Sequence, residues 1–154
     1  MSAFVSVIAI LCSGLMSGLL FGDWLGPARA RARMSVSSFV QVQQIVHSHY
    51  VRVLPALSSL AVGALILWSI LAREQWGTIA YGALLVATVS VFAGFVITIL
   101  VNVPVNHHLE RWDAANPPPN AREIWRPWET AHVVRTALWT TGFFLEIVAI
   151  AMSH

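Results

Sequence analysis

Four long apolar segments constrain the fold of this chain more than any other feature. They cover roughly residues 3–22, 54–72, 77–101 and 131–152, each close to the ~20 residues that cross a hydrocarbon core of ~30 Å. Of the 154 residues, 57% are hydrophobic and only 10% are charged, which is too little charge to cover a soluble domain of this length. The sequence predicts one all-α domain over residues 1–154, an integral membrane four-helix bundle.

An extra helical segment is predicted between the first and second spans. The stretch "RMSVSSFVQVQQIVHSHYVRVLP" offers Ser35 or Ser37 as an N-cap. Its apolar positions Phe39, Val42 and Val46 follow a helical period. The segment should run towards the second span.

The region before the fourth span combines a stiff loop with a polar helix start. Residues 117–119 are three consecutive prolines, which favour an extended polyproline conformation. A helix is predicted to restart around Pro127. One stripe of that helix carries polar and aromatic side chains at i, i+4, i+7 and i+11, namely Trp128, His132, Arg135 and Trp139.

The basic residues predict how the chain is oriented in the membrane. There is no lysine, and seven of the nine arginines lie in or beside the two long loops, whereas the opposite side has only Arg73. Under the positive-inside rule both long loops face the cytoplasm and both termini lie outside. The net charge of +2 is explained by this topology, so no nucleic-acid partner is expected. Membrane lipid is an expected partner.

Five of the six histidines fall on the side of the long loops, where they predict a histidine-rich end of the bundle. Imidazole suits copper and iron, and bundle cores build metal sites from facing helices. No short metal-binding signature is present. The alternative role for these histidines is hydrogen bonding at the membrane interface, and the alternative to a metal cofactor is O2 chemistry without a cofactor. The candidate metal ligands are His47, His107, His108 and His132.

Polar residues at the same end are the candidate catalytic groups. Asn102 and Asn106 lie on one helical stripe around Pro104, which removes a backbone hydrogen bond that asparagine side chains can replace. Arg135, just inside the membrane, needs a partner, either an acidic side chain or an anionic substrate such as a phenolate or enolate. The predicted catalytic set is His132, Glu129, Arg135, Asn102 and Asn106.

Two features inside the spans are open to more than one interpretation. Glycines at every fourth position, from Gly14 to Gly26, predict close helix packing, either within the bundle or in a homo-oligomer. Glu146 lies deep in the fourth span, where an acid is either functional or a hydrogen-bonded structural group.

The motif "NVPVNHHLERWD", the proline loop and "WRPWETAHVVRTALW" together resemble the anthrone oxygenase family of small four-helix membrane proteins. The glycine-rich first helix and "HSHYVRVLP" agree with it. The resemblance implies an oxygenase that converts an anthrone to an anthraquinone with O2, although many members have no assigned function. The motif residues it carries over are Asn102, Pro104, Asn106, Trp128, His132, Arg135 and Thr136; the adjacent His107 and His108 go beyond the family pattern.

The leading hypothesis is therefore a membrane-embedded oxygenase or oxidase that acts with O2 on a lipophilic, polycyclic phenolic substrate. His132 or Glu129 would act as base, and Arg135 with the asparagine amides would stabilise the enolate. Two alternatives remain: a metal- or haem-binding redox membrane protein, and a non-enzymatic membrane subunit or carrier.

Overall fold

The computed structural model describes residues 2–153, and they form an all-α bundle. Residues Arg73–Gln75 form a short 3₁₀ turn and Thr98–Asn102 a π-helical turn. The α-helices are α1 Ser2–Leu25, α2 Pro27–Arg31, α3 Val36–Tyr50, α4 Leu54–Leu71, α5 Ile79–Ile97, α6 Val103–Glu110 and α7 Ala121–Ala151.

Four helical stretches are long and apolar enough to cross a membrane, which confirms the predicted four-helix architecture. They are Ala3–Arg31, Leu54–Leu71, Ile79–Glu110 and Ala121–Ala151. Large apolar side chains cover their outer faces; Val89 of α5, for example, is 68% exposed. Such a surface is stable in hydrocarbon and would be costly in water, so the structure indicates a multi-pass membrane protein.

The four long helices close into a ring. Helix α1 packs on α4 and α7, and α5 packs on α7 and α4. The main core lies between them and includes Leu65, Leu84, Val91 and Trp139. A second core, formed where α3 and α6 meet the start of α7, contains Phe39, Val40, Val105, Leu109, Trp125 and Trp128.

Small residues bring α5 and α7 close together. A Cβ on Gly142 would lie 2.5 Å from Val91 Cγ2, and one on Gly94 would lie 2.8 Å from Trp139 Cδ1. The glycine stripe of α1 packs only in part within the bundle, and its packing in a homo-oligomer stays a prediction. Only its first member, Gly14, faces another helix, at Phe143, whereas a Cβ on Gly18, Gly22 or Gly26 would meet nothing within 4 Å.

Helix boundaries follow the predicted signals with one correction. The Ser35 hydroxyl caps α3 by accepting from Ser38 N at 3.2 Å, as expected. Helix α7, however, begins at Ala121 rather than around Pro127, which lies inside the helix. Pro127 cannot donate to the carbonyl one turn earlier, but a single missing bond near the helix start does not end a helix that packs against the second core. Pro104 follows the π-helical turn, an irregularity that proline favours because it lacks an N–H.

Candidate functional site

A buried ionic cluster lies where the end of α1, α2 and α7 meet. Arg31 Nη1 and Nη2 each donate to one oxygen of Asp23 at 2.7 Å, a bidentate geometry that is among the strongest ion-pair arrangements. The helix is interrupted at Gly26, and α2 begins at Pro27. This change of direction lets the Arg31 side chain return to Asp23, eight residues earlier. Arg31 is only 3% exposed, so the pair is shielded from water.

His132 joins this cluster from α7 and is 2% exposed. Its Nε2 lies 3.1 Å from Asp23 Oδ2, close enough for an electrostatic contact but not aligned as a hydrogen bond. Its Nδ1 faces Arg135, whose Nε and Nη2 lie at 3.4 and 3.3 Å. Because arginine only donates, Nδ1 is the accepting nitrogen, and the ring proton of neutral His132 is on Nε2, towards Asp23.

Aromatic rings hold His132 and both arginines in place. Trp128 stacks on Trp125 with centroids 4.5 Å apart and on His132 at 5.0 Å. The Arg31 and Arg135 guanidinium carbons lie 5.5 and 5.2 Å from the Trp128 ring, within the range of a cation–π contact. One indole therefore orders the imidazole and two cations.

The cluster carries more positive than negative charge. Arg31 is paired with Asp23, but among residues 2–153 no carboxylate lies within ion-pair distance of Arg135. The Arg135 guanidinium donates instead to His132 and to Thr98 Oγ1, at 3.3 Å. An arginine stays protonated even when buried, so this end of the bundle favours an anionic ligand.

Three amide side chains, from Gln43, Asn102 and Asn106, have unused hydrogen-bonding capacity. Asn102 Nδ2 donates to the Trp128 carbonyl at 3.2 Å. Its Oδ1, together with Asn106 Oδ1 and Gln43 Oε1, is buried without a partner in the described part of the chain. Buried polar atoms are nearly always satisfied in native proteins, so these atoms mark places for water or for a polar group of a ligand.

A cleft of about 240 Å³ opens beside the cluster. Arg31, Trp128, Glu129 and His132 are among its lining residues, and Trp24 of α1 forms part of its wall. Its volume is below the ~300–1,000 Å³ typical of pockets that enclose a drug-sized ligand. In its present shape the cleft can therefore hold only part of a drug-sized ligand.

A comparison with known protein families covers most of the residues that form this site. The family model described as anthrone oxygenase matches residues 43–145. The chain belongs to the anthrone oxygenase family. Comparisons with curated proteins and with solved structures gave no match.

The segment that matches the anthrone oxygenase family contains His132, Arg135 and both asparagines, whereas Asp23 and Arg31 precede it. Sequence reasoning missed Asp23 altogether and treated Arg31 as a topology signal. The available signal was that Asp23 is the only acidic residue among the first 73, placed at the end of an apolar segment. Its contact with His132 could not be predicted, because His132 is 109 positions away.

The structure does not bring the four predicted metal ligands together. His47 Nε2 lies 2.9 Å from Glu110 Oε1, His107 and His108 are exposed, and His132 contacts Asp23. Among residues 2–153 no group of three or more His, Cys, Asp or Glu side chains could hold a metal ion. The cause is the register of α6, which buries Val105 and Leu109 and turns both histidines outward. The side chains as arranged do not fit copper or iron, and metal binding remains a prediction.

The other predicted catalytic residues lie at different depths. Asn102 is buried, Asn106 and Glu129 are half-buried, and Glu129 lines the cleft. Glu146 is fully buried, but it follows His132 by fourteen residues of α7, or about 21 Å of helix at ~1.5 Å per residue. Glu146 is therefore separate from this site.

Proposed function

We propose that the protein is an oxygenase that uses O2 to oxidise a lipophilic, polycyclic phenolic substrate of the anthrone type. The observation that carries this proposal is the contact between His132 Nδ1 and the Arg135 guanidinium, which has no carboxylate partner among the described residues. The enol form of an anthrone is a phenol, which becomes an anion when its proton leaves. A buried base beside a buried cation supports that step.

His132 takes the proton. Its Nδ1 accepts the hydroxyl proton of the enol, while Asp23, near Nε2, stabilises the imidazolium that results, as the carboxylate does in other His–Asp pairs. Arg31 holds the Asp23 carboxylate in place through its bidentate contact. A positioned general base contributes about 10²–10⁴-fold to a rate. Glu129, at the wall of the cleft, is the second candidate base.

Arg135 stabilises the anion. When the substrate oxygen replaces Nδ1 as the partner of the guanidinium, the charge that develops there faces a cation already fixed by Trp128 and Thr98. Preorganised charges of this kind act strongly where water is excluded. Asn102 has a positioning role, since it holds the Trp128 carbonyl. Asn106 does not line the cleft and stays a predicted catalytic residue.

Oxygen reacts at the activated carbon of the deprotonated substrate. The carbanion form reduces O2, a C–O bond forms, and the resulting peroxide anion takes up a proton from the His132 imidazolium to give the hydroperoxide. Elimination of water then leaves a carbonyl. The methylene group has lost two hydrogens and gained one oxygen atom, and the second oxygen atom has left as water with those hydrogens.

Oxygen uptake tests this proposal. Purified protein in lipid nanodiscs should consume O2 with anthrone and form anthraquinone. His132→Gln and Arg135→Gln should each lower kcat/KM by about 100-fold, within the range for a general base or a preorganised charge, whereas the exposed Thr130→Ala is a matched control on α7 and should stay within about twofold of wild type. Folded His132→Gln protein with wild-type turnover, or wild type without anthrone-dependent uptake, would contradict the proposal. The second result would favour a carrier or subunit.

A further inference from the structure

A second cleft lies on the outer face of α1 and α7. Its volume is about 290 Å³, and its walls include Phe21 of α1 and Ala137, Thr140 and Phe144 of α7. Trp24 and Val133 line both this cleft and the one beside His132. The two cavities are therefore neighbours, separated at these two side chains.

The outer cleft faces the surface that the hydrocarbon would cover. Val133 and Phe144 are 50% and 60% exposed, and both lie on the apolar outer side of α7. No loop from the described chain lines it. A molecule dissolved in the bilayer can reach this cleft without passing through water.

The chemistry of the outer cleft matches a planar aromatic molecule with few polar groups. Phe21 and Phe144 provide ring surfaces, and Thr140 adds a hydroxyl that already accepts from Ser17 at 3.0 Å. Apolar pockets with a few fixed polar groups bind mainly apolar ligands of defined orientation. Trp24 at the boundary is held by contacts within its own segment, with Phe21 at 5.7 Å and Arg29 at 5.4 Å.

We propose that the outer cleft is the entry route for the polycyclic phenol of the proposed function. The phenol passes from the bilayer, between Trp24 and Val133, to His132 and Arg135. This inference rests on the proposed function for the identity of the ligand. The ring contacts that hold Trp24, with Phe21 and Arg29, lie outside α7. Rotation of Trp24 about its side-chain bonds therefore joins the two cavities without breaking a ring contact to α7. The polar end of the ligand then meets the cations while its apolar rings stay against α1 and α7.

Ligand binding kinetics test the route independently of turnover. In nanodiscs, anthraquinone is added in the membrane phase and its binding is followed by quenching of tryptophan fluorescence. Ala137→Phe fills the outer cleft and adds no tryptophan. Residue 137 does not line the cleft beside His132. Val134→Phe is the matched control, because Val134, like Ala137, is exposed on α7 but lines a different cleft, beside Ile97 and Val101.

Ala137→Phe should slow association at least tenfold, and Val134→Phe should stay within twofold of wild type. Equal association rates in both variants, with thermal unfolding unchanged, would overturn the route, as would wild type that binds no anthraquinone. If Ala137→Phe binds anthraquinone more slowly but the wild type consumes no O2, the entry route is upheld and only the oxygenase proposal is contradicted.

Discussion

The bidentate contact between Asp23 and Arg31 can be tested by removing each partner separately and then both. Asp23→Asn leaves the Arg31 guanidinium, 3% exposed, without its carboxylate. Breaking a buried pair in this way costs about 3–5 kcal/mol, and Arg31→Gln should cost a similar amount by leaving Asp23 without its bidentate partner. The double variant Asp23→Asn/Arg31→Gln removes both charges of this pair together, so we expect it to recover much of the loss.

Unfolding of the three variants in mixed detergent micelles measures these changes in the free energy of unfolding. The double-mutant cycle should give a coupling of at least about 2 kcal/mol, in the range for residues in direct contact. Turnover should behave differently from stability. All variants that contain Asp23→Asn should stay slow, because His132 has lost the carboxylate near Nε2.

Two results would refute this reasoning. Stability changes that add within about 0.5 kcal/mol would show that Asp23 and Arg31 do not interact energetically. A double variant that regained wild-type oxygen uptake would show that Asp23 acts only as a structural partner of Arg31, and the assignment of His132 as a base supported by Asp23 would fail. The exposed pair His47–Glu110, whose glutamate side chain is 47% exposed, is the control and should show a coupling below about 1 kcal/mol.

Three further predictions concern the remaining features. His107→Ala/His108→Ala should keep wild-type turnover in the oxygen assay, since both side chains are exposed; loss of activity together with loss of bound copper or iron by elemental analysis would instead support the metal-site hypothesis. Gly142→Ala should destabilise the protein by about 1–3 kcal/mol through overpacking against α5, whereas Gly63→Ala, with open space around it, should not, as thermal unfolding would show. An impermeant maleimide should label Asn116→Cys in the exposed α6–α7 loop only from the cytoplasmic side, while the single native cysteine is buried; labelling from outside would invert the predicted topology.

Several elements could be predicted from sequence because their causes are local. Four apolar segments of membrane-spanning length predict four helices whatever their neighbours are, and Ser35 caps α3 through an atom three residues away. The family was also identifiable, since its motif lies in the two consecutive segments around Asn102 and His132. The start of α7 was less predictable, because a proline signals a helix start even where packing around Trp125 and Trp128 extends the helix past it.

The sequence by itself determined the helical class, the number of spans and the kinds of polar groups at one end of the bundle, because hydrophobic length and capping act within a few residues. Only the tertiary structure decided which of those groups meet. Helix register turned His107 and His108 outward and buried His132, and the break at Gly26 brought Arg31 back to Asp23. Those contacts depend on rotation of each helix about its axis, where one residue corresponds to about 100°. That rotation is set by packing across the whole bundle rather than by any local pattern.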